Sequence, residues 1–185
     1  MIAVIFLLFH LVRGQEETVE KPSVTYKPAL QSGDAFLRTK ASLLIGLLEY
    51  FSFEEKAGII SVLYVGNDDD ALLSQILSIS SMKTIAGKKP VIYRISESGG
   101  IKSMPQVVIV SSSGIPLLAS VKKSMNLKKS LVIYEGNVIH NEDLDIGIAF
   151  NTAQPKIQLR KSKIEKKGIQ IAGKLLTFKQ TQIIE

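Results

Sequence analysis

Four short β-branched runs constrain this chain more than any other feature, because helix-period segments or a connector separate them. "GIISVLYVG" spans residues 58–66, and "KKPVIYRIS", "PQVVIVSSS" and "KSLVIYEG" follow it. Each run is continuous and apolar rather than alternating, the pattern of a strand buried on both faces. Between the first two lies "DDALLSQILSISS", with Leu72, Leu73, Ile76, Leu77 and Ile79 at helical spacing; between the last two lies "GIPLLASVKKSM". Strands alternating with helices pair in parallel through right-handed crossovers. Ahead of them, "DAFLRTKASLLIGLLEYFSF" places Phe36, Leu37, Leu43, Leu44, Leu47, Leu48 and Phe51 on a wide helical stripe, with Asp34 as its N-cap. Behind them, "DIGIAFNTAQPKIQLRKS" reads as a hairpin turning at Asn151–Pro155, which extends the sheet in antiparallel fashion. The last segment, "KSKIEKKGIQIAGKLLTF", carries Ile164, Ile169, Ile171, Leu175, Leu176 and Phe178 in a helical pattern interrupted by Gly168 and Gly173. Its leucines are expected to face the core, Leu176 among them, while Lys166 and Lys167 face water. The expected fold is a single α/β domain over 33–180. It has a mixed, mostly parallel sheet of about five to six strands, helices on its faces and an antiparallel C-terminal hairpin.

The 185 residues include no cysteine. That excludes a disulfide framework, a thiol nucleophile, a thiolate metal site and a lipoprotein anchor. At the start, "MIAVIFLLFHLVRG" is apolar from Ile2 to Val12 apart from His10. A spanning helix needs about 20 such residues, so the run fits the apolar region of a secretory signal peptide over 1–14, although no basic residue precedes it. A buried first strand is the other reading, and the charged stretch "QEETVEKPS" that follows argues against it. Residues 15–32, with Pro22 and Pro28, read as a flexible leader. The chain is therefore expected to be exported, and once cleaved it does not span the membrane.

Candidate chemistry is sparse. "VGNDDD" puts Asn67, Asp68 and Asp69 at the carboxyl end of a strand, where α/β folds place ligands. A response-regulator receiver would need a further aspartate after a later strand, but those strands end in "ISESGG" and "VSSSG". Acids in a first helical turn also serve as caps. Ser111, Ser112 and Ser113 lead into a helix and offer an anion site, yet the pattern is not G-x-S-x-G. Ser112, His140 and Asp143 have the residue types of a hydrolytic triad, and nothing in their spacing supports one. No cofactor, metal or catalytic residue is assigned, and the chain reads as a non-enzyme. From Lys156 to Lys179 there are eight Lys or Arg against one acid. With only Phe178 aromatic there, nucleic acid is disfavoured as a target. The segment reads instead as a solvated face, or as a surface steered towards an acidic partner or an anionic membrane, with Lys161, Lys163, Lys166 and Lys167 as the candidate partner contacts.

Taken together, these segments resemble the YfiR/HmsC-like family of periplasmic proteins over about residues 34–178. "KASLLIGLLEYFSF" is similar to the family's opening helix. The stretch from "GIISVLYVGNDDD" to "KKPVIYRIS" is similar to its strand–Gly–acid–helix unit, with Lys83, Ile85, Gly87, Lys89, Val91 and Arg94 in its closing phrase. "PQVVIVSSS" and "GIAFNTAQPKIQLRKSKIEKKGIQIAGKLLTF" correspond to later family segments. Two departures stand out: there are no cysteines, so redox control does not carry over, and "QLRK" (Gln158 to Lys161) replaces the family's F-x-I-N. The resemblance implies a non-enzymatic regulator that binds and represses the periplasmic sensor region of a membrane signalling protein. That protein is a diguanylate cyclase or a histidine kinase, and the former links the chain to cyclic-di-GMP signalling and biofilm formation. A homodimer is compatible with this reading. The alternative is a periplasmic small-ligand binding protein using Asn67, Asp68, Asp69 and Ser111–Ser113.

Overall fold

The computed structural model describes residues 33–53, 58–100, 104–136, 141–150 and 154–184. The expected signal peptide (1–14), the leader (15–32) and His140 lie outside the described residues. In chain order the elements are α1 (Gly33–Leu47), a helical turn at Leu48–Tyr50, β1 (Phe51–Ser52), β2 (Ile59–Val65), α2 (Ala71–Met82), β3 (Lys89–Tyr93) and β4 (Val107–Val110). Then follow α3 (Ile115–Ser124), β5 (Leu131–Tyr134), β6 (Ile146–Ala149), β7 (Lys156–Leu159), α4 (Lys161–Lys166), β8 (Gln170–Ile171), α5 (Gly173–Leu176) and β9 (Thr181–Ile183).

The fold is α/β with a mixed, mostly parallel sheet of seven strands in the order β3-β2-β4-β5-β6-β7-β9. The strands β3, β2, β4, β5 and β6 run parallel, and β7 pairs antiparallel with β6 as the expected hairpin. Both faces are covered, which is why β4 reads as an unbroken apolar run buried at every position. One face packs Leu44, Ile45, Leu48, Leu73 and Ile76 of the α1 and α2 side against Ile60, Val62, Ile109, Ile133 and Ile148. The other seats Leu118 and Val121 of α3 on Leu63, Val65, Val108, Val110 and Val132.

The end of the chain departs from expectation. The single closing helix is broken into α4, β8 and α5. Gly168 adopts φ +78° and terminates α4, its N–H donating to the Glu165 carbonyl at 2.9 Å. Residues Gln170–Ile171 then find an open partner in Phe51–Ser52 and pair antiparallel with it. Backbone pairing with a free edge outweighs a helical pattern that two glycines already weaken. Fully buried in this segment is Leu175, while Leu176 is half-buried at its side. The domain also extends past residue 180, because β9 adds a parallel edge strand beside β7.

Candidate functional site

The chain reverses its winding at β2. It leaves β2 through α2 to reach β3 on one side, then returns across to β4 on the other. Ligands of open α/β sheets settle outside the carboxyl ends of the strands at such a switch point. Here the two turns meet backbone to backbone. A Cβ on Gly66 would lie 2.4 Å from Ser111 Oγ and 2.7 Å from the Tyr64 ring. One on Gly114 would lie 1.9 Å from the Val65 carbonyl oxygen. Gly114→Ala is therefore expected to lower stability by about 1–3 kcal/mol through forced separation of the turns. An unchanged denaturation midpoint would show that they part without cost.

The polar side chains of the crevice are engaged with one another. Tyr64 donates its hydroxyl to Asp70 at 2.6 Å, and Asp70 caps α2 by accepting the Leu72 N–H at 2.9 Å. Ser96 donates to Asp68 at 2.7 Å. The Ser111 and Ser113 hydroxyls are 2.8 Å apart, and the Asn67 N–H reaches Ser113 Oγ at 3.4 Å. Ser112 donates to Glu135 at 3.2 Å, and Glu135 pairs with Lys40 of α1 at 2.5 Å. The Lys40 ammonium lies 5.2 and 5.0 Å from the ring centroids of Phe36 and Phe150. Thus Asn67, Asp68 and Ser111–Ser113 do gather at one end of the sheet, beside an open depression lined by Gly66, Asn67, Asp68, Asp69, Ile95, Ser96 and Leu117. Asp69 is exposed on that rim. Among the described residues, no group of three or more His, Cys, Asp or Glu is placed to hold a metal ion.

Burial pushes the Tyr64 phenol above its ordinary value of 10.0, and the Asp70 hydrogen bond adds to the rise. The folded chain keeps this proton where the unfolded chain loses it. Tyr64 therefore contributes stability that is present below about pH 10 and falls as pH rises further, by up to ~1.4 kcal/mol per pH unit. Tyr64→Phe is expected to flatten the alkaline decline in stability measured by denaturant titration. Equal slopes in the two proteins would locate that ionisation elsewhere.

The lysines of 161–167 lie at the opposite end. Asp145, fully buried at the entry to β6, accepts the Val132 N–H at 2.7 Å and pairs with Lys163 at 3.0 Å and Lys167 at 2.5 Å. Lys167 also donates to the Ser130 carbonyl at 2.8 Å. Burial pushes the Lys167 ammonium down from its ordinary value, and Asp145 opposes the shift. The expectation that Lys167 faces water is corrected: its side chain is 11% exposed and serves as an internal anchor. Lys161 pairs with Glu165 at 3.8 Å, and Lys166 is exposed. Ser112 follows β4 while Asp143 leads into β6 beside Lys122, so these two lie at opposite ends of the sheet and form no triad.

Two groupings escaped the sequence reading, the Lys40–Glu135–Ser112 chain and the Asp145 anchor. Their one local signal is an acid abutting an apolar strand, Glu135 after "LVIY" and Asp145 before "IGIA". The cationic partners are distant in sequence and leave no trace in it. No protein-family model matches this chain, and no curated protein matches it.

Proposed function

We propose that the chain is a non-enzymatic periplasmic regulator of the YfiR/HmsC-like kind. It binds the periplasmic sensor region of a membrane signalling protein, a diguanylate cyclase or a histidine kinase, and represses it. The observation that carries this reading is the state of the switch-point crevice. Where a doubly wound sheet would present groups to a substrate, Tyr64, Asp70, Ser111, Ser112, Ser113, Glu135 and Lys40 are spent on one another. A surface satisfied in this way suits a protein that acts by docking. Among the described residues no helix is long and apolar enough to cross a membrane. In this reading, export through residues 1–14 brings the domain to the sensor's side.

A second reading, a small-ligand binding protein, draws on the open depression beside Asn67, Asp68 and Asp69. Removing the chain from its cells separates the two. Loss of a repressor raises cyclic-di-GMP, or the phosphorylation of the kinase's target, and chains carrying Asp69→Asn or Ser113→Ala restore the low level. Failure of both variants to restore it, with each variant folded, would favour the ligand reading. An unchanged signal on removal would contradict repression.

A further inference from the structure

Among the described residues the two ends of the sheet differ in their balance of charge. Asp34, Asp68, Asp69, Asp70, Glu97 and Glu135 sit at helix starts or just after strands, toward the carboxyl end. Lysines crowd the other end: Lys83 closes α2, Lys89 opens β3, Lys122 and Lys123 end α3, and Lys128 leads into β5. The end of α4 is at the same level, because Lys167 bonds to the Ser130 carbonyl just before β5. Helix-dipole complementarity accounts for Lys122 and Lys123 in the last turn of α3. It does not account for Lys89 and Lys128, which lead into strands. Of the described acids at this end, Glu49 pairs with Lys83, Asp143 with Lys122, Asp145 with Lys163 and Lys167, and Glu165 with Lys161, while Glu142 is exposed beside Asp143. Lys89, Lys123, Lys128 and Lys166 are exposed, and no acid pairs with them among the described residues.

Apolar side chains stand beside these lysines. Ile59, at the first position of β2 and in register with Lys89, is 42% exposed; Met82, the last residue of α2, is 71% exposed. We infer that this end is a membrane-docking face: Lys89, Lys123, Lys128 and Lys166 meet the phosphates of anionic lipids while Ile59 and Met82 enter the interface. The chemistry favours lipid over the other polyanions. Protein interfaces are depleted in lysine and enriched in arginine and aromatics, whereas the exposed cations here are lysines. Nucleic acid needs no exposed aliphatic side chains, but an interfacial surface combines them with lysines. From β3 to β6 the face spans four inter-strand steps, about 19 Å, wide enough for several headgroups. The inference does not depend on the sensor reading, although a lipid-bound domain would meet a membrane sensor more often.

Co-sedimentation of the purified domain with vesicles tests it. Binding is expected to vesicles of phosphatidylglycerol and phosphatidylcholine in equal parts, to weaken with salt, and to be absent with phosphatidylcholine alone. Each neutralised lysine should lower affinity about fivefold. Lys89→Gln with Lys128→Gln should therefore lose about 25-fold, while Lys156→Gln with Lys179→Gln, the same charge removed at the opposite end, loses less than about threefold. Met82→Gln should weaken vesicle binding severalfold and leave the salt dependence unchanged. Equal losses in both double variants would overturn the inference. So would salt-sensitive binding to a DNA duplex or an acidic protein without vesicle binding, or competition by inorganic phosphate as strong as by vesicles.

Discussion

Asp145→Ala is expected to destabilise the domain by about 3–5 kcal/mol, the cost of stranding the partners of a buried charge. The carboxylate is fully buried and is held by Lys163, Lys167 and the Val132 N–H. Its own backbone is tied in as well, since the Arg160 N–H donates to the Asp145 carbonyl at 2.9 Å. A single residue therefore joins β5, β6, the end of β7 and α4. Without it, Lys163 can swing into solvent, but Lys167 is largely enclosed and the Val132 N–H loses an acceptor. Asp145→Asn, which keeps the shape and an acceptor but drops the charge, should cost less than the alanine change. Lys166→Ala, an exposed neighbour of Lys167, should change stability by less than about 0.5 kcal/mol. Chemical denaturation of the four proteins gives the comparison. An Asp145→Ala midpoint matching wild type would mean that the lysines are held by something other than this carboxylate.

Leu175→Ala carries the second large effect, about 2–5 kcal/mol from lost burial and the cavity left behind. Leu175 is completely buried although α5 has only four residues. It packs into the cluster beneath α1 and α2, which also takes in Phe178, whose ring meets Tyr50 edge-on at 5.4 Å. Because α5 contributes so few contacts of its own, much of what holds the C-terminal segment on the domain passes through this side chain. Leu176→Ala should cost distinctly less, since Leu176 is only partly covered. Thermal melting of the two variants ranks them. If Leu176→Ala melts lower than Leu175→Ala, the short helix has been rotated by a residue.

The parallel half of the fold was legible because each strand is apolar at every position. A run such as "VVIV" fits little else when it is bounded by turn residues and followed by a helical period. The hairpin was legible for a related reason, the break at Asn151–Pro155 between two apolar pairs. The C-terminal segment was not. A spacing of apolar residues fits a helix, and also a turn, a two-residue strand and another turn, so the outcome depends on a partner far away in sequence. That partner is Phe51–Ser52, and β9 similarly depends on the free edge of β7. At the crevice, the sequence marked Asn67, Asp68 and the serines by their place after strands. It could not show that Lys40 of α1 reaches Glu135, or that Tyr64 meets Asp70, because pairings across elements are fixed by topology.

The regulator reading meets its most direct test in affinity capture from solubilised membranes, using the chain without residues 1–14 as bait and mass spectrometry to identify what is retained. The expected result is one membrane protein with an exported sensor region and a cytoplasmic diguanylate cyclase or histidine kinase domain. Its purified sensor region should then bind the chain directly and saturably. Retention of no such protein, or failure of the purified sensor region to bind, would contradict the account.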